Sequence, residues 1–107
     1  MDLKLVYATY PSLALAEAAA RELVAARLVA CGNILPAMVS IYRWEDKVER
    51  ADEVVLLLKT TAALADQVVE AVRAGHPYDV PAVFILPVEG THPAFLAWVG
   101  AETTPRA

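Results

Sequence analysis

Residues 31–44 and 47–59 constrain this chain more than any other stretch, because they read as two strands too long for a small domain to cover. In the first arm Ile34, Leu35, Met38, Val39, Ile41, Tyr42 and Trp44 recur, residues that suit a pleated, half-buried surface. In the second arm the run Val54–Leu58 reads as buried, and Glu45-Asp46 between the arms is the best turn candidate. The arms exceed the usual strand length of about five or six residues. Pro36 interrupts the first arm; with no N–H to give, a proline belongs at a sheet edge or a bulge. A hairpin of this length leaves unpaired backbone and apolar side chains that invite pairing with another chain. An oligomer is therefore expected.

The flanking segments complete a simple order. Residues 3–8 read as a strand broken by Thr9-Tyr10-Pro11-Ser12, with Ser12 as the N-cap of a helix over 13–29. Ala16, Ala20, Leu23 and Arg27 share one side of that helix. Arg27 is expected in its last turn, where a cation suits the helix dipole. Thr60 or Thr61 caps a second helix over 61–74, with Leu64, Val68, Ala71 and Val72 inward and Asp66, Gln67, Glu70 and Arg73 outward. Gly75 stands where a C′ glycine belongs, and residues 76–81 form a connector stiffened by Pro77 and Pro81. Residues 82–88 read as a buried strand, and Ala94, Phe95, Leu96, Trp98 and Val99 as a short apolar helix, with 102–107 frayed. The order β-α-β-β-α-β plus a terminal helix predicts one α+β domain over 1–107 of the ferredoxin-like class.

Composition excludes several partners. Among 107 residues 58% are hydrophobic and 21% charged, with a net charge of −4. No basic run or stripe supplies the phosphate contacts on which nucleic-acid affinity depends. The longest apolar runs fall far short of the roughly 20 residues that span a bilayer, and Met1–Lys4 lacks the pattern of a signal peptide. A membrane role is not expected. Cys31 is the only cysteine, which suits a reducing, cytoplasmic setting.

The run LVAARLVACGNI over 23–34 resembles the signature of the CutA family of divalent-cation tolerance proteins. Ser40-Ile41-Tyr42-Arg43-Trp44 is similar to that family's Ser-x-Tyr-x-Trp strand. Glu53 followed by Lys59-Thr60, then His76-Pro77-Tyr78 with Pro81, then Leu96-Ala97-Trp98, resemble its later segments in order and spacing. The resemblance covers nearly the whole chain. It implies a ferredoxin-like subunit with a long β2–β3 hairpin, assembled as a homotrimer. It also implies binding of copper (Cu2+) or another divalent cation in a response to metal ions, with no organic cofactor. The chain departs from the pattern at Gly32, where Val or another small apolar residue is usual, at Asp46, a common turn glycine, and at Ala82, usually glutamate. Ala8 and Gly75 stand where some metal-binding members carry cysteine and histidine.

Imidazole and thiolate are the ligands copper favours. The pool is Cys31, His76, His92 and carboxylates such as Glu53 and Asp79, with no CxxC, HxH or HExxH spacing. The resemblance narrows the metal candidates to His76, Cys31 and Glu53. Each has a plain structural role as well: Cys31 a small buried hydrophobe, His76 a helix-end cap, Glu53 a strand-edge charge. Ser40, Tyr42, Trp44, Lys59, Tyr78 and Trp98 are expected at an oligomer interface or a cleft between subunits. Aromatic residues are enriched at interface cores, and packing, within the subunit or between subunits, is a plainer reading of them than a ligand cleft. Lys59 and Arg43 are candidates for holding an anion, or are ordinary solvated charges. A Cys31–His76 nucleophile and base would need an orienting group that the sequence does not indicate, so no catalytic role is expected. Two other functions fit the fold class: a PII-like trimeric signalling or small-ligand-sensing module, and a non-catalytic oligomeric scaffold. The long basic loop of a regulator is absent.

Overall fold

The computed structural model describes residues 2–105. Strand β1 (Leu3–Tyr10) alternates Val6, Ala8 and Tyr10, all buried, with Leu5 and Tyr7 on the opposite face, as the period of two requires. It runs two residues past the predicted break because Thr9 and Tyr10 find partners in Val55 and Val54. Helix α1 (Leu13–Ala25) starts as predicted, with the Ser12 hydroxyl accepting from the Leu15 N–H at 3.2 Å.

The end of α1 corrects the sequence reading. The helix stops at Ala25, short of residue 29. Arg27 lies beyond it with φ 60°, its N–H bonded to the Val24 carbonyl and that of Leu28 to the Leu23 carbonyl. This is a Schellman cap with arginine where glycine is usual, at a cost of about 1–2 kcal/mol for the left-handed backbone. The side chain offsets it. Its Nε donates to the Thr104 carbonyl at 2.8 Å and its Nη2 to the Ala101 carbonyl at 3.0 Å, closing the last turn of helix α3 (Pro93–Glu102). Arg27 thus caps a helix other than its own. Residues 102–104, expected to fray, are held: Arg27 bonds the Thr104 carbonyl and pairs with Glu102 at 3.6 Å, and buried Thr103 donates to the Val99 carbonyl at 2.8 Å. Residues 106 and 107 lie outside the described residues. Arg27→Ala is expected to keep the backbone strain, lose the capping bonds and destabilise the fold by about 1–2 kcal/mol. Urea unfolding at fixed protein concentration reads this, with the α3 amides exchanging fastest.

Strand β2 (Cys31–Trp44) and strand β3 (Lys47–Thr61) form the long hairpin. Glu45 and Asp46 carry φ of 49° and 64°, the left-handed pair that a tight two-residue hairpin turn demands. Pro36 marks a bulge: the register passes from Leu35↔Val55 to Met38↔Glu53, so Pro36 and Ala37 together oppose Val54. At Gly32 an added Cβ would lie 3.1 Å from Leu58 Cδ2 and 3.4 Å from Ala20 Cβ, so glycine lets β2 approach α1 closely. Thr60 is not a cap. It is fully buried in β3 and its hydroxyl donates to the Leu28 carbonyl at 2.7 Å.

Helix α2 (Ala62–Gly75) buries Ala65, Val68 and Val72. Gly75 does not turn left-handed; among the described residues no glycine has positive φ. His76 ends the helix in an extended conformation, φ −80° and ψ 143°, which the following Pro77 favours. Strand β4 (Val83–Pro87) is not the buried strand predicted. The antiparallel sheet has the order β2-β3-β1-β4, so β4 is an edge, and Phe84 and Leu86 are 45% and 39% exposed.

Helices α1 and α2 cover one face of the sheet through Val6, Ala8, Tyr10, Leu56, Leu58 and Val68. Helix α3 packs its Val99 against Leu3 and Ala30. Residues 38–44 and 47–53 pair only with each other, a projection of about 23 Å at strand rise. The outline of 48 × 28 × 22 Å and the radius of gyration of 14.5 Å reflect it, against about 13 Å for a compact domain of this length.

Candidate functional site

The bulge at Pro36 decides which side chains meet. Ahead of it the odd residues Cys31, Asn33 and Leu35 pair with Lys59, Leu57 and Val55. Beyond it the even residues Met38, Ser40, Tyr42 and Trp44 pair with Glu53, Ala51, Glu49 and Lys47. Side chains alternate strictly along a strand, so the inserted residue brings Ser40, Tyr42 and Trp44 onto the face of Tyr7 and Glu53 instead of Ile41 and Arg43. The Tyr7 hydroxyl, 3.8 Å from Met38 Sδ, spans the sheet on that face. The connector 76–82 folds along the same side, and hairpin and connector enclose an open cleft of about 580 Å³, within the range of small-molecule sites.

His76 anchors the connector. Its Nε2 is 2.7 Å from the Thr9 carbonyl, and its Nδ1 accepts the Tyr78 N–H at 3.1 Å. The two partners together assign the proton to Nε2. The ring also stacks on Tyr10 with centroids 4.4 Å apart. So fixed, it delivers Tyr78 to the cleft, where the phenol donates to Glu53 Oε2 at 3.1 Å. Burial raises the Tyr78 pKa first, with smaller contributions from the bond to Glu53, its charge and the nearby Tyr42.

Tyr10, 3% exposed, likewise has its pKa raised by burial. The folded chain therefore keeps this phenol protonated to higher pH than the unfolded chain does. The stabilisation is intact below about pH 10, the ordinary tyrosine value, and is lost as pH rises through the folded-state value. Tyr10→Phe is expected to flatten that alkaline loss, seen as a smaller drop in urea midpoint between about pH 8 and about pH 11.

The metal candidates do not converge within the subunit. Cys31 pairs with Lys59 and Glu53 with Met38, six residues apart on β3, about 20 Å at strand rise. His76 lies near Glu53 through Tyr78, but both its ring nitrogens are already engaged. Among the described residues no three of His, Cys, Asp and Glu gather as ligands would, so these three do not fit a metal ion inside one chain.

Of the interface candidates, Ser40, Tyr42, Trp44 and Tyr78 line the cleft, whereas Lys59 and Trp98 do not. Trp98 lies beside Phe95 on α3, centroids 5.8 Å apart. Arg43 pairs with Val48 on the opposite face of the hairpin. Sequence reasoning missed Tyr7 and Thr9, which also line the cleft. Their signal was the alternation of β1, which sets Tyr7 opposite Val6 and Ala8. Among the described residues no helix is long and apolar enough to cross a membrane.

Comparison with known proteins agrees with this arrangement. The family described as CutA1 divalent ion tolerance protein matches residues 4–102. The chain is 40% identical over 100 residues to the divalent-cation tolerance protein CutA of Thermus thermophilus, covering 94% of this chain and 97% of that one. It is 42% identical over 99 residues to a CutA homolog of Xenopus laevis, across 92% of this chain. It spans 66% of that relative's length and 55% of its mouse counterpart's. The crystal structure of CutA from Xylella fastidiosa superposes with a TM-score of 0.94 at 38% identity, covering 97% of this chain and all of that one.

Proposed function

Since the chain belongs to the CutA1 divalent ion tolerance protein family, we propose that it works as a non-catalytic homotrimer that binds copper or another divalent cation in a response to metal ions. The chain order and the sheet order β2-β3-β1-β4 support a ferredoxin-like subunit. One observation supports assembly, with the number three taken from the family resemblance: the hairpin and the sheet expose Leu35, Val39, Ile41, Val48 and Phe84 by 45–67%. Leu35 and Phe84 lie on the Tyr7 face and Val39, Ile41 and Val48 on the other; large apolar side chains left in water on both faces mark interaction surfaces, and an edge strand offers unpaired backbone beside them. A cytoplasmic location belongs to the same reading, on the single cysteine.

Metal binding then draws its ligands from more than one copy, because Cys31 stands about 20 Å from Glu53 at strand rise and no three ligands gather among the described residues of one copy. His76 has a second requirement: a metal must displace either the Thr9 carbonyl or the Tyr78 N–H from its ring. Titration of the assembled protein with Cu2+ and Zn2+ tests this. Cys31→Ser and His76→Ala are each expected to weaken Cu2+ binding by about tenfold or more, since thiolate and imidazole are the ligands copper prefers. No heat and no spectral change at micromolar metal would remove the metal reading and leave the assembly intact.

The cleft favours a second reading, a small-ligand-sensing module. It combines apolar and aromatic walls with a few convergent polar groups, as ligand sites do.

A further inference from the structure

We propose that the groove between α1 and α2 binds a small, neutral, largely apolar alcohol whose oxygen pairs with the Tyr10 hydroxyl. None of the residues lining this groove belongs to β2, β3 or β4. It therefore lies off the hairpin and off the bare sheet face on which the proposed assembly rests, and it shares no residue with the metal candidates.

Tyr10 carries the assignment. It ends β1 on the face that the helices cover, and it is 3% exposed. Its ring stacks on His76, which the Thr9 carbonyl and the Tyr78 N–H hold in turn. Burial alone raises its pKa; no hydrogen bond among the described residues contributes. Yet no buried side-chain oxygen or nitrogen among them lacks a partner. The unbonded hydroxyl is therefore the small part of Tyr10 that still reaches open space, and the open space that Tyr10 lines is this groove. Short side chains such as Ala19 on α1 and Ala74 on α2 keep it open, and Leu15 and Val72 give it apolar walls. Its volume of about 510 Å³ suits a small molecule. Burial against those walls supplies the drive. The phenol supplies the one directed contact, because a hydroxyl left unpaired in apolar surroundings costs free energy that a ligand oxygen recovers. Glu22 is the only charged residue along the groove, and it is exposed. Its carboxylate repels an anionic head group and, standing in water, holds a cation only weakly. A neutral ligand fits best.

2-Phenylethanol and ethylbenzene, which lacks the hydroxyl, are the probes, followed by amide chemical shifts of the assembled protein. 2-Phenylethanol is expected to shift the amides of residues 15–26 and 71–76 saturably. Tyr10→Phe keeps the ring and removes the hydroxyl. It should weaken 2-phenylethanol about fivefold, as the loss of one neutral hydrogen bond implies, and leave ethylbenzene unchanged. Ala74→Leu fills the groove from an exposed position on α2 and should weaken both probes about tenfold while the spectrum stays folded. An equal effect of Tyr10→Phe on the two probes, or no effect on either, would overturn the proposal. So would a parent protein with no saturable shifts, or with shifts confined to residues 40–44 and 51–53. A changed light-scattering mass in Ala74→Leu would place a second copy in the groove and overturn it as well.

Discussion

Replacing Ile41 and Val48 together by aspartate is expected to reduce the light-scattering mass from that of the proposed trimer to that of one chain, with the circular dichroism of the subunit unchanged. Both residues lie on the projecting part of the hairpin, on the face opposite Tyr42, at 65% and 67% exposure. In a lone subunit the new carboxylates remain in water, so the fold has no reason to respond. In an assembly that buries this projection each copy must desolvate two unpaired charges, at several kcal/mol apiece. Repeated in each copy, the penalty exceeds what a modest interface supplies. An unchanged mass for the folded double variant would place the contact elsewhere and leave the projection bare in solution.

Leu56→Ala is expected to cost about 3 kcal/mol, within the 2–5 kcal/mol range for emptying a leucine-sized space in a core. Leu56 is fully buried, central in β3 between β1 and β2, paired with Ala8 and Ile34. It faces the helices, and its Cδ1 already lies 3.4 Å from where a Cβ on Gly32 would stand. Neighbours on two strands fix the backbone there, so the site has little freedom to collapse around the void. Against a total stability of about 5–15 kcal/mol, such a loss shifts the urea midpoint of the assembled protein clearly. It contrasts with Leu57→Ala one residue along, half-buried on the other face, where a smaller effect is expected in the isolated subunit. Equal effects at the two positions would mean that assembly buries the second face as completely as the helices bury the first.

Much of this protein is legible in its residues. The hairpin arms, the Glu45-Asp46 turn, the Ser12 cap and the Val54–Leu58 core follow from alternation, turn preference and capping, all of which act over a few neighbouring positions. The family signature follows from local runs in fixed order. Arg27 shows where this stops. A cation near a helix C-terminus is a sound local expectation, yet its guanidinium closes α3, more than seventy positions away. That contact exists only once both helix ends meet, and it permits the left-handed backbone that sequence rules assign to glycine.

The cleft is the clearer case. Tyr42, Trp44, Glu53 and Tyr78 were each visible as residues of interest, but their meeting depends on the bulge at Pro36. Proline announces an irregularity without giving its size, and one inserted residue reverses the face of everything beyond it. The pairing of β3 with both β1 and β2 set that size, because only one register buries Leu56 and Leu58 under the helices. Sequence determined the elements and their order, since those are governed by near neighbours. Tertiary structure alone decided that Cys31 stands apart from Glu53 and that His76 spends both ring nitrogens on the backbone, because those outcomes depend on distances across the sheet.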